Sequence, residues 1–493
     1  MKPTAHPDST DESALTRMGY AQELHRGFSG FSNYALSFSI ICILAGGITS
    51  FHLGFCAVGP AAIGVGWPLA VIFSLCVAST MAHIASAFPT AGGLYHWAAL
   101  LGGRGMGWVT AWFNLAGLVT VLAAINVGTW RFVVSCLFEG NDPGERTQII
   151  GVALITISQA LFNLFGTRIV GSLTSFSGWW ILGVTLALLI SLLAFGSPRS
   201  PICLLDFRNH SGLPEGDSPV WPVTESMAWL FLLALLLPAY TITGFDASAH
   251  AAEETRDAAR NVPRGIIQAV LVSGIAGWVL LSVAVLVIDD DHAIASQGER
   301  AFVQIMEENI PHWLQDPLFA SILLAQYLCG LATITSTSRM AFAFARDGGL
   351  PASHWFRKIS VNSQVPSNAV LAVSFASILF TIYAEVYATI AASCTILLYI
   401  SYVLPTFLGL LAYGRSWKIM GPWNLGPWFR PLATLSVLGS IGLLVIGTQP
   451  PSEEAGYVVF AFTAVLVLGW FSWAKYRFPG PPVDLKGLQG EST

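Results

Sequence analysis

The sequence predicts an all-α integral membrane protein with about twelve membrane-spanning helices. Hydrophobic residues make up 54% of the 493 residues and charged residues only 10%, whereas about a quarter of the residues in a soluble domain are charged. The mean hydropathy is +0.64. Long apolar stretches recur along the chain, and two of them are interrupted by glycines beside polar residues. This pattern excludes a soluble globular fold, and no basic stripe with aromatic residues suggests a nucleic acid partner.

Stretches of about 18 to 25 mostly apolar residues are long enough to cross a bilayer as helices. The predicted spans are residues 33–54, 57–80, 107–134, 148–166, 169–195, 225–249, 264–288, 317–340, 368–384, 387–412, 431–448 and 456–474. Residues 81–106 are rich in glycine and are expected to fold back at the membrane surface, and residues 291–315 are expected to form a short amphipathic helix in a loop.

The basic residues of the loops predict the orientation. With the N-terminus in the cytoplasm, most loop arginines and lysines lie on the cytoplasmic side, and the other side collects acids such as Asp289–Asp291 and Glu299. Both termini are therefore expected in the cytoplasm, and the expected location is the plasma membrane or a bacterial inner membrane.

Two of the spans contain interruptions at corresponding places. The first span breaks at Ala45-Gly46-Gly47 and the sixth at Gly244, with Asp246 close by. Interrupted spans at corresponding positions of two halves indicate an inverted repeat with a binding site at the midplane. The alternative is that these glycines only allow close helix packing.

The repeat divides the chain into six parts. They are an N-terminal tail (1–32), a five-helix repeat (33–195), an extracellular loop (196–224), a second five-helix repeat (225–412), two final helices (413–475) and a C-terminal tail (476–493).

Three motifs carry a resemblance to a known family. They are ASAFPTAGGLY at residues 85–95, TGFDASAH at residues 243–250 followed by AEET at 252–255, and SRMAFAFARDGGLP at residues 338–351. Together they resemble the amino acid/choline transporter branch of the amino acid–polyamine–organocation (APC) superfamily, which includes GABA permeases and bidirectional amino acid transporters. The resemblance covers about residues 25–475 and implies the LeuT-type fold.

In such folds the interruption of the first span exposes N–H groups of the following half-helix, where the helix dipole favours an anion. The resemblance therefore assigns a substrate carboxylate to Gly46, Gly47, Ile48 and Thr49, and Ala45 next to them is assigned to the same substrate site. Free carbonyls at the sixth span would accept from a substrate ammonium.

The residues assigned to that ammonium are Tyr240, Thr241 and Thr243. Phe245 resembles the aromatic residue that closes over the substrate, and the alternative is that it is an ordinary core residue.

Asp246 has two interpretations that do not exclude each other. Its carboxylate could pair with a substrate amine, or it could be the N-cap of the second half-helix, a position that aspartate favours. A buried acid at this depth could also carry a proton, because desolvation raises the pKa of a carboxyl group.

A gate on the cytoplasmic side is a further hypothesis. Arg26 precedes the first span, and Glu253, Glu254 or Asp347 could form an ion pair with it. The alternative is that these charges only form a solvated face.

The expected coupling ion is a proton, with sodium the less favoured choice. Thr333, Ser336 and Thr337 lie where a sodium site would sit in this fold, but hydroxyls there also pack helices. Some proton-coupled members of the superfamily use a lysine in the fifth span, and residues 169–195 contain none.

The sequence thus predicts a secondary active permease that moves an amino acid or a zwitterion such as GABA by alternating access. The alternatives are a choline or polyamine permease, or a nutrient receptor on a transporter fold. No catalytic constellation at one depth suggests an enzyme, and no cofactor or metal is expected. The protein is expected to be a monomer or a homodimer.

Overall fold

The computed structural model describes residues 7–138, 144–216, 219–361, 363–383, 387–449 and 452–489. Within these ranges every regular element is a helix, apart from two isolated β-bridges. The predicted end of the ninth span at residue 384 lies outside the described residues, as do residues 1–6 and 490–493 of the two predicted tails.

The first half of the chain begins with a short helix in the tail and then forms the first five spans. Its helices are α1 (Pro7–Arg17), α2 (Gly30–Ile40), α3 (Phe51–Val58), α4 (Trp67–Ala87), α5 (Leu94–Gly102), α6 (Arg104–Leu137), α7 (Glu145–Leu164) and α8 (Thr167–Phe195). Spans one to five are α2 with α3, α4, α6, α7 and α8.

The second half repeats this order and adds two helices. Its helices are α9 (Met227–Ala234), α10 (Leu236–Thr241), α11 (Ala247–His250), α12 (Ala258–Leu286), α13 (Asp291–Ala295), α14 (Ala301–Asn309), α15 (His312–Arg346), α16 (Ser353–Phe356), α17 (Ser367–Tyr383), α18 (Tyr387–Ala412), α19 (Phe429–Gly447), α20 (Glu453–Gly469), α21 (Lys475–Arg477) and α22 (Leu485–Gln489). Spans six to ten are α9 to α11, α12, α15, α17 and α18, and spans eleven and twelve are α19 and α20.

Ten helices among the described residues are long and apolar enough to cross a membrane, and two apolar helices, Met227–Thr241 and Ser367–Ile382, are shorter. Each of the twelve predicted spans therefore has a helix at its position, and the predicted all-α multi-span fold is confirmed. Helix Met227–Thr241 is short because the sixth span is interrupted and resumes only at α11.

The connection between the second and third spans differs from the prediction. Helix α4 continues to Ala87, seven residues past the predicted end, and residues 94–100 of α5 are buried. This segment thus packs against the bundle, since its tyrosine and tryptophan side chains are apolar enough to be covered by neighbouring helices. The predicted loop helix at 291–315 consists of two short helices, α13 and α14.

The helix contacts follow the repeat. Span one contacts span seven (α2 with α12), and its counterpart, span six, contacts span two (α10 with α4). Span three contacts span ten (α6 with α18), and its counterpart, span eight, contacts span five (α15 with α8). In both cases, adding five to the number of a span in the first half gives a span in the second half that makes the equivalent contact. This is the pattern that a 5 + 5 repeat requires. Because five is odd, equivalent spans run in opposite directions.

Both ends of the described chain lie on one face of the bundle. Tyr95 and Phe344 pack against Phe478, and Gly19 lies against Pro482. We call the face that carries these residues the terminal face. The shared face agrees with an even number of spans.

Candidate functional site

The sixth span is interrupted between Thr241 and Ala247, as the sequence predicts. Helix α10 ends at Thr241, and α11 begins at Ala247. Gly244 has a φ of +87°, a conformation that costs other L-residues free energy because of their Cβ. A Cβ at this position would also overlap Ile40 Cγ2 of the first span. A glycine is therefore required here both by its backbone conformation and by its neighbour.

The first span is also interrupted, but the interruption begins four residues earlier than predicted. Helix α2 ends at Ile40, and the non-helical residues Ile41 and Cys42 precede a π-helical turn at Ile43–Gly47. The predicted break at Ala45-Gly46-Gly47 is therefore wrong in its position. Gly46 serves close packing instead, because a Cβ there would lie 3.0 Å from Thr241 Cα.

Carbonyl groups freed by the first interruption accept hydrogen bonds from side chains of neighbouring spans. Cys329 Sγ donates to Ile40 O (3.4 Å), Ser273 Oγ to Ile41 O (3.4 Å) and Gln326 Nε2 to Leu44 O (3.0 Å). An irregular backbone at membrane depth is tolerated only where its polar groups find such partners. These side chains therefore stabilise the break in the first span.

A serine of α2 ties the first span to the interruption of the sixth. Ser37 Oγ donates to Phe245 O (2.8 Å) and accepts from Ser248 N (2.9 Å). Together with the contact between Gly46 and Thr241, these bonds bring both interruptions to the same place in the bundle.

Asp246 lies at the centre of this place and is fully buried. Its Oδ2 accepts from Asn114 Nδ2 of α6 (2.8 Å) and lies 3.1 Å from His250 Nε2, while its Oδ1 accepts from Tyr402 OH of α18 (2.8 Å). Asp246 occupies the N-cap position of α11, but its side chain makes no capping hydrogen bond. The predicted capping role is therefore wrong, because polar groups of α6, α11 and α18 bind the carboxylate instead.

The ten residues assigned to the substrate surround the two interruptions. Ala45, Gly46 and Gly47 lie in the π-helical turn; Ile48 and Thr49 lie between this turn and α3; Tyr240 and Thr241 end α10; and Thr243, Phe245 and Asp246 lie in the sixth-span interruption. Phe245 is buried, with its ring 4.8 Å from that of Tyr402, so in this arrangement it is part of the core.

The cavities beside the interruptions are small. One of about 20 Å³ borders Ile48 and Thr49, and one of about 10 Å³ borders Tyr240. Each has room for about one water molecule. A larger solute would fit only if the two interrupted spans moved apart.

A much larger cleft opens on the terminal face. It measures about 780 Å³ and lies between the start of α2 and the start of α8, with polar residues such as Ser32, Arg168 and Arg256 in its wall. Hydroxyl pairs between Ser32 and Ser175 (3.0 Å) and between Ser39 and Ser177 (2.8 Å) hold α2 against α8.

Comparison with known proteins agrees with this architecture. A family model described as "Amino acid permease" matches residues 28–471. The amino-acid permease BAT1 of Arabidopsis thaliana is 32% identical over 95% of this chain and 95% of its own length. The GABA-specific permease of Saccharomyces cerevisiae is 27% identical over 94% of this chain and 82% of its own length.

The chain belongs to the amino acid permease family. Its relatives are transporters, so the prediction that it is not an enzyme is confirmed.

The hydroxyl groups suggested for a sodium site are mostly engaged within α15 of this permease. Thr333 Oγ1 donates to Cys329 O (2.9 Å) and Thr337 Oγ1 to Thr333 O (2.7 Å), while Ser336 Oγ is buried without a hydrogen-bond partner among the described residues. Two of the three side chains therefore already have acceptors in their own helix. Their role in ion binding stays a prediction.

The predicted ion pairs of Arg26 with Glu253, Glu254 or Asp347 are not formed within the described part of the permease. Arg26 instead lies 3.5 Å from Asp11 of the tail helix α1 and donates to Thr255 O (2.8 Å). This prediction is wrong for the conformation described, because each of the three acids has other partners. A role for these residues in gating stays a prediction.

Two of these acids form buried ion pairs with α15. Glu254 binds Arg339 at 2.9 and 3.3 Å, and Glu253 binds Arg346 through two contacts of 2.9 Å. An arginine and a carboxylate can form a bidentate pair with two parallel hydrogen bonds, which is stronger than a single hydrogen bond. These two ion pairs therefore hold the segment that follows the sixth span against the C-terminal end of the eighth span, α15.

Asp347 follows α15 on the terminal face and accepts hydrogen bonds from Tyr20 OH (2.7 Å) and Tyr95 OH. Burial raises the pKa of Asp347 to about 6, and the hydrogen bonds from Tyr95 and Tyr20 and the charge of Arg346 offset only part of this effect. The two tyrosines join the tail and α5 to the eighth span.

We expect Asp347→Asn to weaken the pH dependence of stability. The pKa of an aspartate is about 3.9 in an unfolded chain. The Asp347 carboxyl group therefore binds its proton more tightly in the native state than in the unfolded state. The contribution to stability is complete below about pH 4 and is lost as the pH rises through about 6. It amounts to about 3 kcal/mol.

The measurement is the free energy of unfolding of the detergent-solubilised permease across this pH range. Asp257→Asn, at an aspartate with 41% of its side chain exposed, is the matched control and should keep the wild-type slope. Equal slopes for wild type and Asp347→Asn would contradict the prediction.

Sequence reasoning missed most of the side chains around Asp246. The sequence analysis assigns no role to Asn114, His250 or Tyr402, which all lie within hydrogen-bond distance of the Asp246 carboxylate. A useful signal was present for His250, which lies four residues after Asp246 and therefore on the same side of a helical turn.

Proposed function

We propose that this permease carries a small amino acid or a related zwitterion such as GABA by alternating access. The substrate binds between the interruptions of the first and sixth spans. The observation that carries the proposal is the contact between Gly46 and Thr241, where the backbones of both interrupted spans meet. Peptide groups of both spans are thus within reach of one small solute.

The two charged ends of such a substrate match the two interruptions. The substrate carboxylate binds N–H groups of Gly46 to Thr49, which follow the break at Ile41 and Cys42. In the closed arrangement Gly46 N–H donates to Cys42 O (2.9 Å), so the carboxylate replaces this hydrogen bond when the spans separate. The ammonium binds carbonyls at Tyr240, Thr241 and Thr243. Tyr240 O accepts from Thr243 Oγ1 (2.7 Å), so the ammonium replaces or shares this hydrogen bond when the spans separate.

The surroundings of Asp246 favour a zwitterion over a cation. A choline or polyamine site needs an anionic side chain to balance the ligand charge. Asp246 is the acid at the interruptions, and Asn114, Tyr402 and His250 already occupy its two oxygens. The names of an amino-acid permease and a GABA-specific permease among the relatives support the same substrate class, whereas a putative polyamine transporter of Candida albicans, 27% identical over 99% of this chain, supports the alternative.

The terminal face is the cytoplasmic face in this proposal, because most loop arginines and lysines lie on that side. The large cleft between α2 and α8 is then the cytoplasmic route. The membrane is the plasma membrane or a bacterial inner membrane, and the permease acts as a monomer or a homodimer.

Counterflow in proteoliposomes tests the substrate class. We expect labelled GABA or a neutral amino acid to exchange across the membrane, and unlabelled zwitterions to compete more than tenfold better than choline or putrescine. Competition by the cations alone would contradict the proposal. Binding without exchange would indicate a receptor.

A matched pair of variants links exchange to the interruptions. Gly46→Val places a side chain against Thr241 and should abolish exchange, whereas Gly442→Val lies where a Cβ has no neighbour within 4 Å and should retain it. Size-exclusion profiles of both variants report whether they fold.

A further inference from the structure

We propose that Asp246 and His250 together bind the proton that drives transport. This inference rests on the proposed function and deepens it, because it assigns the coupling ion to a pair of side chains beside the substrate. The pair lies in and directly after the sixth-span interruption, and both side chains are fully buried.

The ring of His250 lies between two hydrogen-bond acceptors. Its Nε2 is 3.1 Å from Asp246 Oδ2, and its Nδ1 is 3.3 Å from the carbonyl oxygen of Ala91. A neutral imidazole has a single N–H, and a carboxylate or carbonyl oxygen can only accept. A neutral ring beside an ionised Asp246 therefore satisfies one of these contacts and leaves the other without a proton.

One additional proton satisfies both contacts. It resides either on the second ring nitrogen, which gives an imidazolium paired with a carboxylate, or on the carboxyl group, which then donates to Nε2. In both forms the pair has no net charge. Without this proton the pair carries one negative charge away from water, which is unfavourable unless water or a cation reaches it.

The groups that face the pair leave this charge uncompensated. Asn114 of α6 and Ser37 of α2 are uncharged, and Tyr402 of α18 donates a hydrogen bond. The nearest acids along the chain, Glu253 and Glu254, are each paired with an arginine of α15. In the closed arrangement of the spans, we therefore infer that a bound proton balances the negative charge of the Asp246–His250 pair.

Tyr402 connects the pair to the interruption itself. Its hydroxyl donates to Asp246 Oδ1 (2.8 Å) and accepts from Gly244 N–H (3.0 Å). Ala91 makes a second connection, since its carbonyl lies next to His250 and its N–H donates to Glu253 Oε1 (3.1 Å). Binding and release of the proton therefore affect the hydrogen bond to the Gly244 backbone in the sixth-span interruption. They also affect, through Ala91, the ion pair of Glu253 on the side of the terminal face.

The mechanism that follows is symport. The closed arrangement, in which the first and sixth spans touch, requires the proton on the Asp246–His250 pair. Release of the proton leaves a buried negative charge and favours an arrangement that admits water. Substrate and proton therefore cross in the same closed state.

The test uses the full-length permease in proteoliposomes with three readouts. These are exchange of labelled GABA without any gradient, accumulation driven by an imposed pH gradient, and the substrate-evoked pH change reported by a trapped dye. The variants are His250→Gln, which leaves the Asp246 carboxyl group without its basic partner, and Asp246→Asn, which removes the negative charge. Both keep hydrogen-bonding groups.

His83→Gln is the matched control. His83 is also a buried histidine, but its Nδ1 accepts from Leu425 N (3.1 Å) and its ring packs against Phe429. Within the described ranges it forms no ion pair with an acid. We expect His250→Gln to lose accumulation and the substrate-evoked pH change by more than tenfold, and to lose them to a greater extent than it loses exchange without a gradient. His83→Gln should retain all three.

Several outcomes would overturn the inference and remain distinct from failure of the proposed function. Accumulation by His250→Gln or Asp246→Asn at the wild-type level would overturn it, and so would net uptake by the wild type without a substrate-evoked pH change. If wild type exchanges no solute of the panel, the proposed function fails instead.

A second measurement covers the case in which the variants lose exchange altogether. Nitrogen-15 spectra of histidine-labelled wild type and His250→Gln identify the His250 ring signals. In both protonated forms of the pair, we expect an Nδ1 that carries a proton and an Nε2 that is hydrogen-bonded to the carboxyl group of Asp246. A His250 ring whose Nε2 takes part in no hydrogen bond, or whose Nδ1 carries no proton, would overturn the proposal.

Discussion

Replacing Glu254 with alanine is expected to lower the free energy of unfolding by about 3–5 kcal/mol. Its partner Arg339 is only 1% exposed, and Glu254 itself is completely buried. Removal of the carboxylate leaves the guanidinium group as an uncompensated charge in the interior. The loss is larger than the contribution of the pair itself, because the remaining charge can neither reach water nor find another acid.

The matched control is an ion pair near the surface. Arg131 and Glu299 also form a salt bridge, but their side chains are 26% and 44% exposed. Glu299→Ala should therefore cost only about 0–1 kcal/mol, as is usual for exposed pairs. Reversible denaturation in detergent measures both variants.

A double variant separates the two origins of the effect. Replacing both Glu254 and Arg339 with leucine removes the buried charge together with its partner, so it should be less destabilising than Glu254→Ala alone. Equal losses for Glu254→Ala and Glu299→Ala would show that the buried pair is not strongly coupled, contrary to the prediction.

Gly244→Ala is expected to destabilise the permease by about 2–5 kcal/mol. The positive φ of +87° costs an alanine about 1–2 kcal/mol. The overlap of the added methyl group with Ile40 adds about 1–3 kcal/mol, the usual penalty for overpacking a filled core. Ile40 cannot retreat easily, because it ends α2 and its carbonyl is held by Cys329.

The control for this substitution is Gly183→Ala in α8. A Cβ at Gly183 would have no neighbour within 4 Å, and alanine favours a helix more than glycine does. Its stability should equal or slightly exceed that of wild type in the same thermal unfolding experiment. A Gly244→Ala variant as stable as Gly183→Ala would mean that the sixth span is not interrupted at this residue.

The spans of this protein follow from its sequence alone. Lipid offers no hydrogen bonds, so a chain that crosses it forms helices of predictable length and composition. All twelve predicted spans have helices at their positions for this reason. The interruption at Gly244 was equally visible, because a glycine followed by an acid is rare within an apolar span.

The position of the first interruption needed the tertiary structure. Gly46 and Gly47 look like a helix break, yet the backbone leaves the helix at Ile41 and Cys42, whose side chains are apolar. Side chains of other spans stabilise that break, and Gly46 meets Thr241 of the sixth span. Neither fact is a property of the local sequence.

The partners of the charged and polar side chains also depended on the tertiary structure. Asp246 binds Asn114 and Tyr402, which lie 132 and 156 residues away along the chain, and Arg26 meets Asp11 in place of the predicted acids. Hydropathy and glycine placement act over one helix and can be read locally. Partner choice depends on which helices pack together and at what depth, so the packed bundle decides it.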